Sequence, residues 1–299
     1  MRQFNRVTII GVGLIGGSIG LAIKKNGLAK EVVGIFRHRR TLKNALRRKA
    51  IDKGFMNIRD GVRNADLVVL ATSVSSIVRI GLEAMKYAKM GAVLTDVGST
   101  KNCIVEKLEK AARSYSVNFV GSHPMAGSER ASVEFARKDL LEGSPCIVTK
   151  TAGTNKPALK KIMNFWKSLG GYVKVMTPCQ HDRSVALISH LPHIVAFSLA
   201  GAIPERELIY AAEGFKDTTR VASSDPDLWA DIFLTNKKEA IKACRMFENS
   251  YNGIVKALAK SDRRGIVKAL GRAKAKRDKF NYGKKTPGQK IAFGSGSRP

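Results

Sequence analysis

Cysteine, acidic residues and long apolar runs are all scarce in this chain of 299 residues. Its four cysteines lie far apart, with no CxxC pair and no Cys/His spacing of a zinc site, so we expect buried, reduced thiols and no metal. No uninterrupted apolar run approaches the roughly 20 residues that span a membrane, and the first residues lack a secretory signal. We therefore expect a cytoplasmic protein without a membrane segment.

The shortage of acidic residues leaves a large positive charge. Lys and Arg number 53 against 24 Asp and Glu, which gives a formal net charge of +29. Such a balance is common among nucleic-acid-binding proteins. Here the excess is spread over both halves of the chain and becomes denser only after Gly253, without aromatic interleaving. We favour a compositional bias over a nucleic-acid partner, and a positive field would also attract anionic substrates.

A glycine-rich turn near the start of the chain is its most informative pattern. It follows the apolar run 7–10 and opens a helical segment. In such turns one glycine permits the tight bend, a second lets phosphates approach the backbone, and a third packs the helix on the strand. A glycine loop that binds nothing is the alternative. The sequence predicts that a dinucleotide pyrophosphate is bound by Gly11, Gly13, Leu14, Ile15 and Gly16.

Strand and helix patterns alternate from this turn to about residue 177. The apolar runs lack period-two alternation, which is typical of parallel strands buried on both faces. We predict an α/β fold, a Rossmann-type doubly wound parallel sheet, as a dinucleotide-binding domain over residues 1–177. Its predicted strands beyond the first lie at 32–36, 67–71, 92–96, 118–121, 146–149 and 172–176.

Strand signals stop after Pro178, and the following segments read as helices. We predict an all-α substrate and dimerisation domain over residues 178–280, with helices at 181–201, 205–214, 227–251 and 253–280. Apolar faces along its length favour a homodimer, although helices that pack only on each other would give the same pattern. Residues 281–299 read as a basic disordered tail.

Cofactor preference is expected at the end of the second strand. An acidic residue there would accept from the ribose 2′-hydroxyl of NAD, whereas an arginine accommodates the 2′-phosphate of NADP. This chain has Phe36 followed by Arg37 and Arg39. The sequence therefore favours NADP over NAD, unless these arginines merely reflect the general basicity of the chain.

Three polar clusters carry groups suited to catalysis and anion binding. His123 follows a predicted strand, where ligands lie in open α/β sheets, and histidine acts as a general base because its usual pKa is about 6.5. The other clusters are 189–193 and 214–229. Taken singly, His190 reads equally well as a buried core histidine, Arg220 as a surface ion pair and Asp225 as a helix N-cap.

Taken together, and with Asp96–Lys101, the clusters have the order and spacing found in the prephenate/arogenate (cyclohexadienyl) dehydrogenases of tyrosine biosynthesis. The chain resembles this family from about residue 5 to residue 280. The resemblance implies NAD(P)-dependent oxidative decarboxylation of prephenate to 4-hydroxyphenylpyruvate by a homodimer. Arogenate or dual specificity is the alternative. A β-hydroxyacid-type dehydrogenase is more remote, because that type uses a catalytic lysine in its helical domain.

The resemblance also implies individual roles. His123 would accept the ring-hydroxyl proton, Ser99 would hydrogen-bond the same oxygen, and Arg220 would bind a substrate carboxylate. His193 would lie near the side chain, where a histidine favours the keto acid prephenate. Little chain follows Phe280, so we expect a monofunctional enzyme. Further expected contacts are His190, Ser128, Glu129 and Asp217 with the substrate, and Thr72 and Asp96 with the cofactor.

Overall fold

The computed structural model describes residues 2–127 and 132–279. The chain divides into two compact units, residues 1–243 and 244–299. All nine strands found in the described residues lie in the first unit. The site residues predicted above also belong to this unit.

A six-stranded parallel sheet forms the first layer, as the sequence predicts. Its spatial order is β3-β2-β1-β4-β5-β6, so the chain winds outward from the centre in both directions. The short strand β3 was not among the predicted strands. The strands are β1 (Phe4–Ile10), β2 (Ala29–Ile35), β3 (Lys53–Phe55), β4 (Leu67–Leu70), β5 (Val93–Asp96) and β6 (Asn118–Val120).

Helices cover both faces of this sheet, which explains the unbroken apolar runs in its strands. Ile9 and Val69 pack into one buried cluster, whereas their neighbours Ile10 and Val68 pack into the cluster on the opposite face. Residues at odd and at even positions along the strands are therefore both buried, as in other parallel sheets. The helices are α1 (Leu14–Lys25), α2 (Arg39–Arg47), α3 (Ile58–Val62), α4 (Val74–Tyr87) and α5 (Asn102–Ser114).

The last predicted strands do not join this sheet. Together with β7 (Ser122–Pro124), which was not predicted, they form a second, three-stranded sheet. In it β7 runs antiparallel to β8 (Pro145–Thr149), and β8 runs parallel to β9 (Tyr172–Met176). The chain changes sheet at Gly121, where an added Cβ would lie 2.6 Å from the hydroxyl of Thr149. Glycine permits this close approach. Helix α6 (Lys156–Ser168) joins β8 to β9.

The region after β9 is helical, as predicted. A capping box formed by Thr177 and Gln180 begins its first helix, and Asp225 caps the helix that starts at Pro226 by accepting from the N–H of Leu228 at 3.0 Å. The predicted helix 227–251 is divided at Asn236. The helices are α7 (Pro178–Val185), a π turn (Ala186–His190), α8 (Leu191–Ala202), α9 (Glu213–Thr219), α10 (Pro226–Thr235), α11 (Lys237–Ala259) and α12 (Arg263–Lys279), with 3₁₀ turns at Glu205–Tyr210 and Arg220–Ser223.

One helical stretch of the described residues, Pro178–Ala202, is long and apolar enough to cross a membrane by length and composition alone. Its most apolar window has a mean hydropathy of 1.6, and 22% of that window is buried. The same stretch buries Asp182 and His190, whose polar atoms are bonded inside the first unit. The expectation of no membrane segment stays a prediction.

The contact between α1 and β1 generates a stability prediction. A Cβ at Gly16 would overlap the carbonyl oxygen of Gly11 and touch Ile9 and Ala71. Gly16→Ala should therefore lower the free energy of unfolding by about 1–3 kcal/mol, measured by urea denaturation followed by circular dichroism. Gly271→Ala in α12 is the control, since nothing lies within 4 Å of its added Cβ. Equal stability of the two variants would contradict the packing argument.

Candidate active site and cofactor cradle

His123 lies in strand β7, two residues after Gly121, where the chain leaves the parallel sheet. It pairs with Ile147 of β8. The sequence predicts it directly after a strand, and the structure places it inside a short strand that immediately follows β6. Its side chain is partly buried. Burial, followed by the nearby His181, Lys101 and His190, lowers the pKa of His123 well below its ordinary value. His123 is therefore neutral at neutral pH and is available as a base.

Asp96 connects the two sheets at this point. It ends β5 and is fully buried. One carboxylate oxygen accepts from the N–H of Gly98 at 2.9 Å, and the other accepts from the N–H of Ser122 at 3.1 Å. Ser99 and His123 immediately follow these two donors in the chain. A single carboxylate thus brings together the two segments that carry the predicted catalytic residues.

The carboxylate of Asp96 is also ion-paired with the ammonium group of Lys101, and both side chains have zero exposure. The sequence predicts Asp96 as a cofactor contact. In the structure its side chain is bonded to protein donors inside the core, where it joins the two segments, and the cofactor contact stays a prediction. Burial lowers the pKa of Lys101 and the charge of Asp96 opposes this shift. Removing either partner would leave a buried charge unpaired, which is strongly unfavourable.

The hydroxyl of Ser99 has no hydrogen-bond partner among the described residues. The residue is half-buried in the loop between β5 and α5. It is therefore free to bind a ligand oxygen. Its neighbour Thr100 is held by a hydrogen bond of 3.1 Å to Thr235 in α10, which fixes this loop against the helical region.

A chain of three side chains begins at His123 and was not predicted from the sequence. Its Nδ1 lies 2.8 Å from Nε2 of His181, whose Nδ1 lies 2.8 Å from a carboxylate oxygen of Asp182. His181 has zero exposure. The only signal for it in the sequence is a His-Asp pair at the start of the helical region, which becomes informative once α7 is known to pack beside β8.

His190 is a buried histidine of the core. It is 1% exposed, lies against the rings of Trp229 and Phe233, and is 3.3 Å from the side-chain amide of Asn236. The substrate contact implied by the family resemblance would need an accessible ring, whereas the structure supports the alternative of a core histidine. Burial is the main cause that lowers its pKa to about 4.

His193 and Arg220 form a second polar group. The imidazole of His193 stacks on Trp229 with ring centroids 3.5 Å apart, and its Nδ1 donates to the carbonyl of Ser189 at 2.9 Å. Burial, and to a lesser extent the charge of Arg220, lower the pKa of His193. Arg220 is exposed, as is Asp217 in α9. Trp229 holds the histidine ring in place and was not singled out in the sequence.

The glycine turn has the form that a dinucleotide needs. Gly11 has φ +92°, and an added Cβ would lie 2.6 Å from the carbonyl oxygen of Ala71. Gly13, the residue before α1, has nothing within 4 Å of an added Cβ. No acidic side chain occupies the first turn of α1, so its N–H groups are available to an anion. The same helix start includes Leu14, Ile15 and Gly16.

Thr72 borders this turn, and its hydroxyl oxygen is buried without a hydrogen-bond partner in the described residues. The methyl carbon of Thr72 would lie 2.9 Å from a Cβ added to Gly11. An unpaired buried hydroxyl is costly, and a bound ligand would satisfy it. The open space at Gly13 and the orphaned hydroxyl together fit a dinucleotide cofactor.

Arg37 and Arg39 follow β2 and are both exposed. Neither side chain has an ion pair or a hydrogen bond within residues 2–127 and 132–279. Their guanidinium groups are therefore free to bind a phosphate. The predicted contacts Ser128 and Glu129 lie outside the described residues.

A glycine turn that leads from a parallel strand into a helix, with a neutral histidine beyond the same sheet, is the arrangement of the nicotinamide-dependent dehydrogenases. Residues 19–175 match the family "Prephenate dehydrogenase, nucleotide-binding domain", and residues 177–272 match "Prephenate dehydrogenase, dimerization domain". The chain belongs to the prephenate dehydrogenase family.

Individual proteins of the family are similar over most of the chain. Prephenate dehydrogenase of Bacillus subtilis is 38% identical over 79% of this chain, which spans 65% of that protein. Cyclohexadienyl dehydrogenase of Zymomonas mobilis is 31% identical over 88% of this chain and 91% of its own length. The crystal structure of A. aeolicus prephenate dehydrogenase with hydroxyphenyl propionate and NAD+ is 34% identical, covering 93% of this chain and 98% of that one, with a TM-score of 0.86.

The depressed pKa of His190 generates a prediction about stability. The unfolded chain binds a proton at this residue near pH 6.5 and the folded chain only near pH 4, so stability is lost as the pH falls through this range. When the pH is lowered from 7 to 4.5, the free energy of unfolding should fall by about 2–3 kcal/mol less in His190→Gln than in the unchanged protein, measured by urea unfolding. His38→Gln, at an exposed histidine, is the control. Identical pH dependence in all three proteins would refute the assignment.

Proposed function

We propose that this protein is a prephenate dehydrogenase. It oxidises prephenate with the oxidised nicotinamide cofactor and gives 4-hydroxyphenylpyruvate, carbon dioxide and the reduced cofactor. The reaction needs no other reactant. The observation that carries the proposal is the neutral His123, joined through Asp96 to the segment of the unpaired Ser99. The relatives and the solved structure described above support this reaction class.

In the proposed mechanism His123 accepts the proton of the ring hydroxyl, and Ser99 donates a hydrogen bond to the same oxygen. Withdrawal of this proton pushes electrons toward loss of hydride from the carbon that bears the oxygen. The bound nicotinamide supplies the hydride acceptor. Loss of carbon dioxide then makes the ring aromatic, and His123 returns its proton to the phenolate oxygen. No net proton is released or consumed.

Substrate orientation is proposed for the His193 and Arg220 group. Arg220 is exposed and has no ion pair with another described residue, so its guanidinium is free for a carboxylate. Its charge acts on His193, which places both groups in one neighbourhood. A fixed cation would hold the dianionic substrate with its reacting carbon toward the cofactor. Asp217, Ser128 and Glu129 are proposed as further substrate contacts.

Arogenate is the second candidate substrate, and one observation favours it. Nδ1 of His193 donates to the carbonyl of Ser189, so the neutral ring leaves Nε2 as an acceptor. An acceptor suits the ammonium group of arogenate, whereas the keto group of prephenate needs a donor. Only the protonated ring of His193 would supply that donor.

For the cofactor we propose the glycine turn with Thr72 as the binding cradle, and NADP over NAD. The support is Arg37 and Arg39 at the end of β2, exposed and without partners in the described part of the chain, with no carboxylate at the position that binds a ribose hydroxyl. The relative with a bound cofactor carries NAD+, so the preference depends on this chain's own arginines.

A homodimer is proposed through the helical region that matches the dimerisation domain. In the first unit, Ile188 is 67% exposed and Leu234 is 70% exposed. A second copy would cover such side chains, and this coverage accounts for the apolar but little-buried stretch Pro178–Ala202 better than lipid does, since that stretch carries His181 and Asp182 of the site. We retain a cytoplasmic location and no nucleic-acid partner as parts of the proposal.

The reaction is tested by initial rates in a matrix of NADP or NAD with prephenate, arogenate or a 3-hydroxy acid, followed at the absorbance of the reduced cofactor. Prephenate should be the best substrate. His123→Asn should lower kcat by roughly 10²- to 10⁴-fold and leave cofactor affinity unchanged, because it removes a base and no phosphate contact. His38→Asn is the control. Reduction with the 3-hydroxy acid alone would reject the proposal, and unchanged turnover of His123→Asn would reject the role of this histidine.

Cofactor preference is tested at the first arginine after β2. Arg37→Ala should raise KM for NADP by about tenfold, since a charged hydrogen bond to the 2′-phosphate is lost, and should leave KM for NAD nearly unchanged. Arg79→Ala, at an exposed arginine of α4, controls for the change in net charge. Equal loss with both cofactors would show that Arg37 contributes only general basicity.

A further inference from the structure

We propose that His181 is a positioning residue which, held by Asp182, fixes the tautomer of His123 and receives part of the charge when His123 takes a proton. The inference deepens the proposed function and rests on it for the proton transfer. Which ring nitrogen of each histidine carries the hydrogen follows from hydrogen bonds within the protein and is independent of any substrate.

The chain of hydrogen bonds starts from a fixed carboxylate. Asp182 accepts from the backbone N–H of Lys101 at 2.7 Å and of Asn102 at 2.8 Å. Asn102 is the first residue of α5, and Lys101 directly precedes it. Its own carbonyl accepts from the side-chain amide of Asn236 at 2.8 Å. Asp182 is 3% exposed, so it is held on three sides and acts only as an acceptor.

The proton positions then follow in sequence. Because the carboxylate only accepts, the Nδ1 of His181 that faces it at 2.8 Å carries the hydrogen. The neutral ring of His181 therefore presents a lone pair at Nε2. Nδ1 of His123, 2.8 Å from that lone pair, must be the donor. This leaves the lone pair of His123 at Nε2, which has no partner among the described residues and is the atom available to the substrate.

The electrostatic surroundings suit a base that is neutral at rest. The groups that act on His123 are His181, Lys101 and His190, and those that act on His181 also include Asp182 and Asp96. Burial lowers the pKa of both rings, so neither is charged before the reaction. When Nε2 of His123 takes a proton, the shared hydrogen at Nδ1 is drawn toward His181, and the carboxylate of Asp182 stabilises the cation.

The alternative is that His181 merely fills space, since it has zero exposure and its ring is 5.1 Å from that of His123, centroid to centroid. A filler would affect stability and would not select a tautomer. Two readouts separate these roles, namely the protonation of the ring nitrogens of His123 and the pH dependence of turnover.

The first experiment is long-range ¹H–¹⁵N correlation NMR of the full chain labelled with ¹⁵N-histidine, without cofactor or substrate, at pH 8. The chain has five histidines, so the signal of His123 is assigned by its loss in His123→Asn. We expect Nδ1 of His123 to be protonated and Nε2 to be unprotonated. A protonated Nε2 in the unchanged protein would overturn the proposal without reference to any variant.

The second experiment compares His181→Gln with His181→Leu. The glutamine amide oxygen can accept from Nδ1 of His123, whereas leucine has similar bulk and no acceptor. His181→Leu should lower kcat by about 10- to 100-fold with KM little changed. The acid limb of its pH profile of kcat should move to lower pH, because the imidazolium of His123 loses its acceptor. His181→Gln should retain the Nδ1–H tautomer and recover most of kcat. Equal kcat and equal pH profiles in the two variants would overturn the proposal.

The outcomes also distinguish this inference from the proposed function. If the unchanged protein reduces cofactor with neither prephenate nor arogenate, the proposed function fails, while the tautomer still stands or falls on the spectrum. If it turns over prephenate and Nε2 of His123 is protonated, the function stands and the positioning role of His181 fails. If His181→Leu does not fold, the spectrum of the unchanged protein and the His181→Gln profile decide.

Discussion

The buried ion pair between Asp96 and Lys101 is the interaction on which the site depends. Two full charges at zero exposure are tolerated only because they meet each other and because backbone N–H groups complete the carboxylate. Those N–H groups belong to Gly98 and Ser122, which precede Ser99 and His123. The carboxylate at the end of one parallel strand thus holds the loop with the hydroxyl and the strand with the imidazole. An apolar pair of the same size would fill the core but could not bring these two segments to one point.

The same pair shapes the chemistry of the imidazole. A buried ammonium group near His123 disfavours a second positive charge, and burial acts in the same direction. A histidine in water is partly charged near neutral pH, whereas His123 is in the neutral form that a base requires. The His181 and Asp182 chain acts in the opposite sense once a proton has arrived, since it provides a carboxylate behind the second ring.

Sequence reasoning succeeded where the physical rule is local. The turn at Gly11, Gly13 and Gly16 predicted its own conformation, because the space for a Cβ is decided within a few residues. The rule is weaker for residues that meet across the fold. The sequence does not reveal that Asp96 accepts from the N–H of Ser122, and His190 reads equally as ligand or core until the rings of Trp229 and Phe233 are found against it. The second sheet was missed because period and composition do not reveal which neighbour a strand will choose.

By itself the sequence determined the parallel α/β layer, the helical region after Pro178, the glycine turn and the family, since each depends on short patterns in a fixed order. Only the tertiary structure decided that His123 is neutral, that His181 lies between it and Asp182, and that Asp96 and Lys101 form a buried ion pair. These properties depend on burial and on distances between residues far apart in the chain. Burial and distance set pKa values and proton positions, and no local pattern of residues specifies them.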